Sequence, residues 1–193
     1  MKNICIFTGS SEGNAPQYMA AARALGSAIG GRGMSIVYGG ATIGLMGGVA
    51  DACLEAGGPV IGVMPRALAE LEIVHKGLTE QHIVASMHER KAIMAERSDG
   101  FIALPGGLGT LDELFEIWTW GQLGEHAKPV ALLNVEGFFD PLLAYLDSVV
   151  EQGFIKSEHR HMLIVGKSPA ETLSAMAAYA PPEVPKLINP SET

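Results

Sequence analysis

A three-layer α/β fold, Rossmann-like and doubly wound, with a mostly parallel sheet and helices on both of its faces, is predicted by three features of this sequence. Seven short apolar runs alternate with longer segments of helical periodicity, as repeated strand–helix units do. Several of the runs end in glycine or proline, which places glycine loops at the carboxyl edge of an open sheet, where ligands bind. The chain, at 193 residues, is long enough to bury one layered core and short for two.

In order, the strands are NICIFTG, MSIVYGG, PVIGVMP, HIVAS, GFIALPGG, PVALLN and MLIVG. The helices are expected at 15–31, 44–57, 86–98, 110–122, 138–152 and 169–179. The stretch from Ala67 to Gln81 fits neither period. With no internal repeat or linker, one domain is expected over 1–180. A Pro-rich tail with Pro181, Pro182, Pro185 and Pro190 follows at 181–193.

Charge narrows the partners. Twenty-one acidic residues against 13 basic give a formal net charge of −8, which argues against a general nucleic-acid or anionic-membrane surface. An anionic small molecule remains compatible, provided that a local pocket of cations and backbone N–H groups receives it. Cys5 and Cys53 lie in apolar stretches and read as two buried thiols, which suits the cytoplasm. No apolar run is long enough to span a bilayer, and the start MKNICIFTGS lacks a signal-like segment. His82, His88, His126, His159 and His161 have no ligand spacing, so no metal and no cofactor is expected.

Three loops each follow a strand and precede a helix: Thr8-Gly9-Ser10-Ser11, Tyr38-Gly39-Gly40-Ala41-Thr42-Ile43-Gly44 and Pro105-Gly106-Gly107-Leu108-Gly109-Thr110. Glycine lets the backbone turn sharply and bare its N–H groups, while the next helix adds positive potential. One such loop alone reads as a tight turn; three together point to a phosphate. Neither the dinucleotide G-x-G-x-x-G after the first strand nor a Walker lysine is present, which disfavours a nicotinamide enzyme or an ATPase.

Two helices carry unusual faces. After the third loop, Leu111, Leu114, Phe115 and Trp118 make a core face, and Glu113, Glu116, Ile117 and Trp120 make another that is too apolar for water. That second face is expected to be covered by ligand or by a second subunit. In the segment Met87 to Met94, the residues Met87, Arg90, Lys91 and Met94 share a stripe. An arginine among methionines needs an anionic partner, and a phosphate or Glu113 would serve; the alternative is that Arg90 and Lys91 reach solvent along their stems.

Met87-His88-Glu89-Arg90-Lys91, followed by Pro105-Gly106-Gly107-Leu108-Gly109-Thr110-Leu111-Asp112-Glu113, resembles the LOG family of cytokinin riboside 5′-monophosphate phosphoribohydrolases, once labelled lysine decarboxylases. The family pattern is PGGxGTxxE with an upstream RK pair. The likeness extends over Gly9-Ser10-Ser11, Tyr38-Gly39-Gly40, Gly44-Leu45-Met46-Gly47 and the Trp120 to Gly124 region. It implies Arg90 and Glu113 as the catalytic pair. It also implies nucleotide contacts from Gly9, Ser10, Gly39, Gly40, Met87, Lys91, Gly107, Leu108, Gly109, Thr110, Leu111 and Asp112, with Glu72 carried over by spacing. A homodimer is implied too. Thr8 stands where a Cys often precedes the first glycine, Ala41 where a third glycine is found, and Leu108 where plant members carry Tyr; these bear on base preference.

The chemistry suits those residues. Breaking the C1′–N9 bond of a nucleoside 5′-monophosphate builds positive charge on the ribose, and a fixed carboxylate such as Glu113 stabilises it or orients the attacking water. Arg90 would meet the departing base, the phosphate or Glu113; the sequence leaves all three open. The competing readings are a molybdenum-cofactor carrier, against which the retained Arg90 and Glu113 argue, and a nucleic-acid processing factor, against which the charge argues. A lysine decarboxylase is disfavoured for want of a Schiff-base lysine setting.

Overall fold

The computed structural model describes residues 1–70 and 73–182, and its seven strands form one sheet. In chain order the elements begin β1 (Asn3–Phe7), α1 (Pro16–Gly30), β2 (Ser35–Tyr38), α2 (Gly44–Glu55), β3 (Val60–Pro65), α3 (Arg66–Ala69), β4 (Glu80–Val84) and α4 (Met87–Glu96). They continue β5 (Gly100–Ala103), α5 (Leu108–Leu123), β6 (Val130–Leu133), α6 (Asp140–Glu151), α7 (Ser157–Arg160), β7 (Leu163–Gly166) and α8 (Pro169–Ala177). Each of the seven apolar runs carries all or part of a strand, and the six expected helices lie within a few residues of their anticipated bounds. The Pro-rich tail falls almost wholly outside the described residues.

The strand order is β4-β3-β2-β1-β5-β6-β7 and every neighbouring pair is parallel, so the sheet is wholly rather than mostly parallel. Because side chains alternate along a strand, β1 feeds two cores. Ile4 and Ile6 join Leu25 and Ile29 of α1 and Val49 of α2 on one face. Cys5 and Phe7 join Met94 of α4, Leu114 and Trp118 of α5 and Leu146 of α6 on the other. Full burial of each such aliphatic side chain contributes about 1.5–3 kcal/mol before entropy is counted.

The strand order reverses direction between β1 and β5, and there the loops that leave the two strands diverge and open a crevice. They stay tied at its base, where the Gly9 N–H donates to the Pro105 carbonyl at 3.2 Å and the Thr8 hydroxyl donates to the same oxygen at 3.1 Å.

The ambiguous stretch from Ala67 resolves into most of the one-turn α3, an isolated antiparallel bridge between Ala41 and Val74, and a β4 that begins at Glu80, ahead of its apolar run. As an edge strand, β4 tolerates polar residues: Glu80 accepts from Arg97 of the α4 C-cap at 3.0 Å and pairs with His82 at 2.7 Å. One expectation about α5 is corrected. Its buried side is Thr110, Glu113, Leu114, Ile117, Trp118 and Gly121, whereas Leu111 and Phe115 are only half-buried. The helix lies against both the sheet and α4, so a single chain already covers Ile117, and only Trp120 of the apolar pair is left half-exposed.

Candidate active site

Above the β1–β5 crevice lies a cleft of about 410 Å³, floored by the loops after β1, β2 and β5 and walled by α4 and the first turn of α5. Sequence chemistry sets up its two kinds of surface. The α4 helix is closed at its start: the Ser86 hydroxyl accepts from the Glu89 N–H at 3.1 Å and the Glu89 carboxylate accepts from the Ala85 N–H at 2.7 Å. The α5 helix begins instead on Gly107, whose missing side chain caps nothing. Its first intrahelical bond is from the Leu111 N–H to the Gly107 carbonyl at 3.2 Å, so the N–H groups of Leu108, Gly109 and Thr110 precede the helical ladder and turn toward the cleft.

The central ion pair joins Arg90 of α4 to Glu113 of α5, with Nη2 3.2 Å from Oε1. Their side chains are only 12% and 9% exposed, so this is a largely desolvated pair rather than a surface one. The guanidinium also donates to the Met87 thioether at 3.7 Å, while its Nε–H is buried without a partner in the protein. Glycine at position 39 leaves room for the Arg90 guanidinium, which a Cβ there would push out of its present place. Gly44 is a second such point: with φ +56° and the Ser10 carbonyl against the place of its Cβ, it locks the first loop onto the second.

Burial pushes the Glu113 carboxyl above its usual range, with Arg90 opposing that shift; Asp112 and Glu116 add to it and Lys91 counters it. The result is a carboxylate poised to accept a proton while still held beside a cation. Burial, and then Glu113, likewise push the Cys5 thiol beneath the site well up, so this cysteine is an inert packing group.

Gly9, Ser10, Gly39, Met87, Arg90, Gly107, Leu108, Gly109, Thr110, Asp112 and Glu113 all line the one cleft. Three anticipated residues do not. Gly40 turns toward the Gln81 side chain. Leu111, half-buried, packs against the edge of the core on another side of α5. Lys91 points behind Glu113, to Glu116 at 2.6 Å and Asp112 at 3.0 Å. Glu72 lies outside the described residues. The cleft also has an apolar wall not singled out from the sequence, made by Ile43, Met46, Met64, Leu68 and Ile73. Met64 at the carboxyl end of β3 carried a positional signal; Leu68 and Ile73 sit in the stretch that matched no period.

The arrangement offers an anion seat at the α5 N-terminus, a buried carboxylate–guanidinium pair next to it and an apolar slot for a flat base. Residues 46–176 match the family described as possible lysine decarboxylase. The chain is 49% identical, over 93% of its length and 84% of the relative's, to cytokinin riboside 5′-monophosphate phosphoribohydrolase LOG1 of Arabidopsis thaliana. It is 47% identical, over 93% of its length and 72% of the relative's, to the probable cytokinin riboside 5′-monophosphate phosphoribohydrolase LOGL6 of Oryza sativa subsp. japonica. Among solved structures, the molybdenum cofactor binding protein of Rippkaea orientalis superposes with a TM-score of 0.69 at 22% identity, covering 92% of this chain and 97% of that one. That last likeness is one of fold.

Proposed function

Since the chain belongs to the LOG family, the cytokinin riboside 5′-monophosphate phosphoribohydrolases, we propose that it hydrolyses the N-glycosidic bond of adenosine 5′-monophosphate or an N6-modified form of it, releasing free base and ribose 5-phosphate. The observation that carries this reading is the desolvated Arg90–Glu113 pair beside the open N-terminus of α5 in one cleft. The 5′-phosphate sits on the Leu108 to Thr110 N–H groups and the Ser10 loop, and the base lies along Met46, Met64 and Leu68. The ribose C1′ then comes beside Glu113. As the C1′–N9 bond breaks, the carboxylate stabilises the cationic sugar and takes a proton from the attacking water, whose oxygen bonds to C1′. The bond electrons leave with the base, and the proton that Glu113 takes from water passes on to it, so that the carboxylate is regenerated. Arg90 holds Glu113 in place.

Incubating the purified protein with AMP and with a prenylated AMP, and following products by chromatography, tests the reaction. Free base and ribose 5-phosphate are expected in equal amounts, and the ratio of the two rates identifies the preferred base. Release of base from neither substrate would overturn the reading.

The same reading includes a homodimer and a cytoplasmic setting. On the outer side of α5, Trp120 and Phe115 remain half-exposed and Leu123 is 45% exposed, which supports an isologous contact along this helix. Cys5 and Cys53 are buried free thiols, as a reducing compartment allows, and among the described residues no helix is long and apolar enough to cross a membrane. Sedimentation at low micromolar concentration is expected to show a dimer that Trp120→Glu weakens together with activity. A fully active wild-type monomer would remove the dimer from the proposal.

A further inference from the structure

Lys91 is the residue whose placement departs most from what the family resemblance implies. It follows Arg90 directly, yet the helix turn sends it to the other side of Glu113, away from the cleft. Its Nζ lies 2.6 Å from Glu116 Oε2 and 3.0 Å from Asp112 Oδ2. These two carboxylates flank Glu113 on its own helix, one residue before and three after, the spacing at which side chains share a helical face or adjoin it. Without a cation among them, α5 would present three neighbouring negative charges. Lys91 and Glu113 also line a common crevice of about 10 Å³, closed by Phe7, Ile117 and Trp120. Apolar walls weaken dielectric screening there, so charge on one side of the crevice is felt on the other.

We propose that Lys91 is a positioning residue that touches no substrate: by pairing with Glu116 and Asp112 it offsets their charge and keeps Glu113 ionised beside Arg90. The proposal rests on the hydrolase reading for its catalytic consequence, but its electrostatic content does not. The charged and titratable groups that face Glu113 are Arg90 and Lys91 from α4, Asp112 and Glu116 on α5 and Cys5 from β1. Asp112 and Glu116 push the Glu113 carboxyl up and Lys91 pulls it down, which agrees in sign. The Lys91 ammonium is itself held above its ordinary range, chiefly by the hydrogen bond to Glu116, so it stays charged across the working range of pH. Glu116 is the closer partner of Lys91, whereas Asp112, 62% exposed, lies next to Glu113 in the chain and raises its carboxyl more than Glu116 does.

The test compares Lys91→Met, Lys91→Arg and the double variant Lys91→Met with Glu116→Gln. Two readouts are used: the pH profile of kcat/KM for base release from AMP, and the titration of the Glu113 carboxyl followed by ¹³C NMR. With Lys91→Met, Glu113 binds its proton more readily, so the acid limb of the profile moves to higher pH. On the acid side of the shifted limb kcat/KM falls roughly tenfold, recovering toward wild type at alkaline pH, with KM little changed. Lys91→Arg restores the wild-type limb. The double variant, which removes one of the two uncompensated carboxylates together with the lysine, moves the limb back toward the wild-type position. If Lys91→Met raises KM at every pH while the limb and the NMR titration stay where they are, Lys91 is a nucleotide contact and the proposal is overturned. A double variant no better than the single one overturns it equally. Should Lys91→Met fail to fold, Lys91→Gln removes the charge, keeps a polar stem and carries the same comparison. Should the wild-type protein release no base, the hydrolase reading fails, and the NMR titration alone still decides the role of Lys91.

Discussion

Glu113→Gln is expected to lower turnover by about three orders of magnitude, equivalent to roughly 4 kcal/mol of transition-state stabilisation. The size follows from where the side chain sits. A carboxylate 9% exposed faces little competing water, so its field acts on the developing ribose cation nearly unscreened. Glutamine keeps the shape and can still accept from Arg90, but it carries no charge and takes no proton from water. Binding is a different matter, because the phosphate seat lies at the α5 N-terminus and does not need this charge. The expected result is a collapse of kcat in single-turnover measurements with nucleotide affinity, by calorimetry, within a few-fold of wild type. A variant that turns over at near-normal rate would remove Glu113 from the mechanism.

The second large effect concerns the substrate's own phosphate. Adenosine is expected to be cleaved with kcat/KM at least about a thousandfold below AMP, since binding energy from a non-reacting group is what holds the sugar at the reacting centre. The structure provides for that energy in a particular way. The α4 and α8 helices begin with serine caps that use up their first N–H groups, through Ser86 and Ser168. The α2 and α5 helices, whose starts line the cleft, begin on Ile43 and Gly107 with no side-chain cap. The first N–H groups of α5 are thus left for an anion, whereas at α2 the Met46 N–H already donates to the Gly9 carbonyl at 3.4 Å. Measuring both substrates under the same salt conditions decides it, and equal efficiency would overturn the phosphate seat.

Most of the fold was legible because a doubly covered parallel sheet writes itself as short apolar runs, and five of the seven were closed by glycine or proline. The Arg90 and Glu113 helices were legible for a related reason: charged residues among methionine, isoleucine and tryptophan do not make a solvated face. What the sequence concealed was direction within a helix that is apolar on several sides. Leu111 and Phe115 satisfy helical spacing as well as Ile117 does, and only the position of α4 against α5 decides which are buried. Lys91 was misplaced for the same reason, since adjacency to Arg90 says nothing about the turn of about 100° that separates them. The apolar wall at Leu68 and Ile73 comes from a single helical turn and the irregular stretch after it, too short for a period to be read.

The tie between Gly9 and Pro105 spans nearly half the chain, as the Thr8 bond to the same carbonyl, across 97 residues, makes plain. Local order cannot produce it. Helices and the β1–β2 and β2–β3 pairs can form from neighbouring segments, but the floor of the cleft exists only once β5 has inserted beside β1, one of the most sequence-distant pairings in the sheet. A nascent or partly folded chain therefore has no seat for the nucleotide, even when the α4 and α5 segments are already helical. Ligand occupancy is coupled to completion of the whole molecule, and by mass action a bound nucleotide holds the two halves of the sheet together instead of firming one loop.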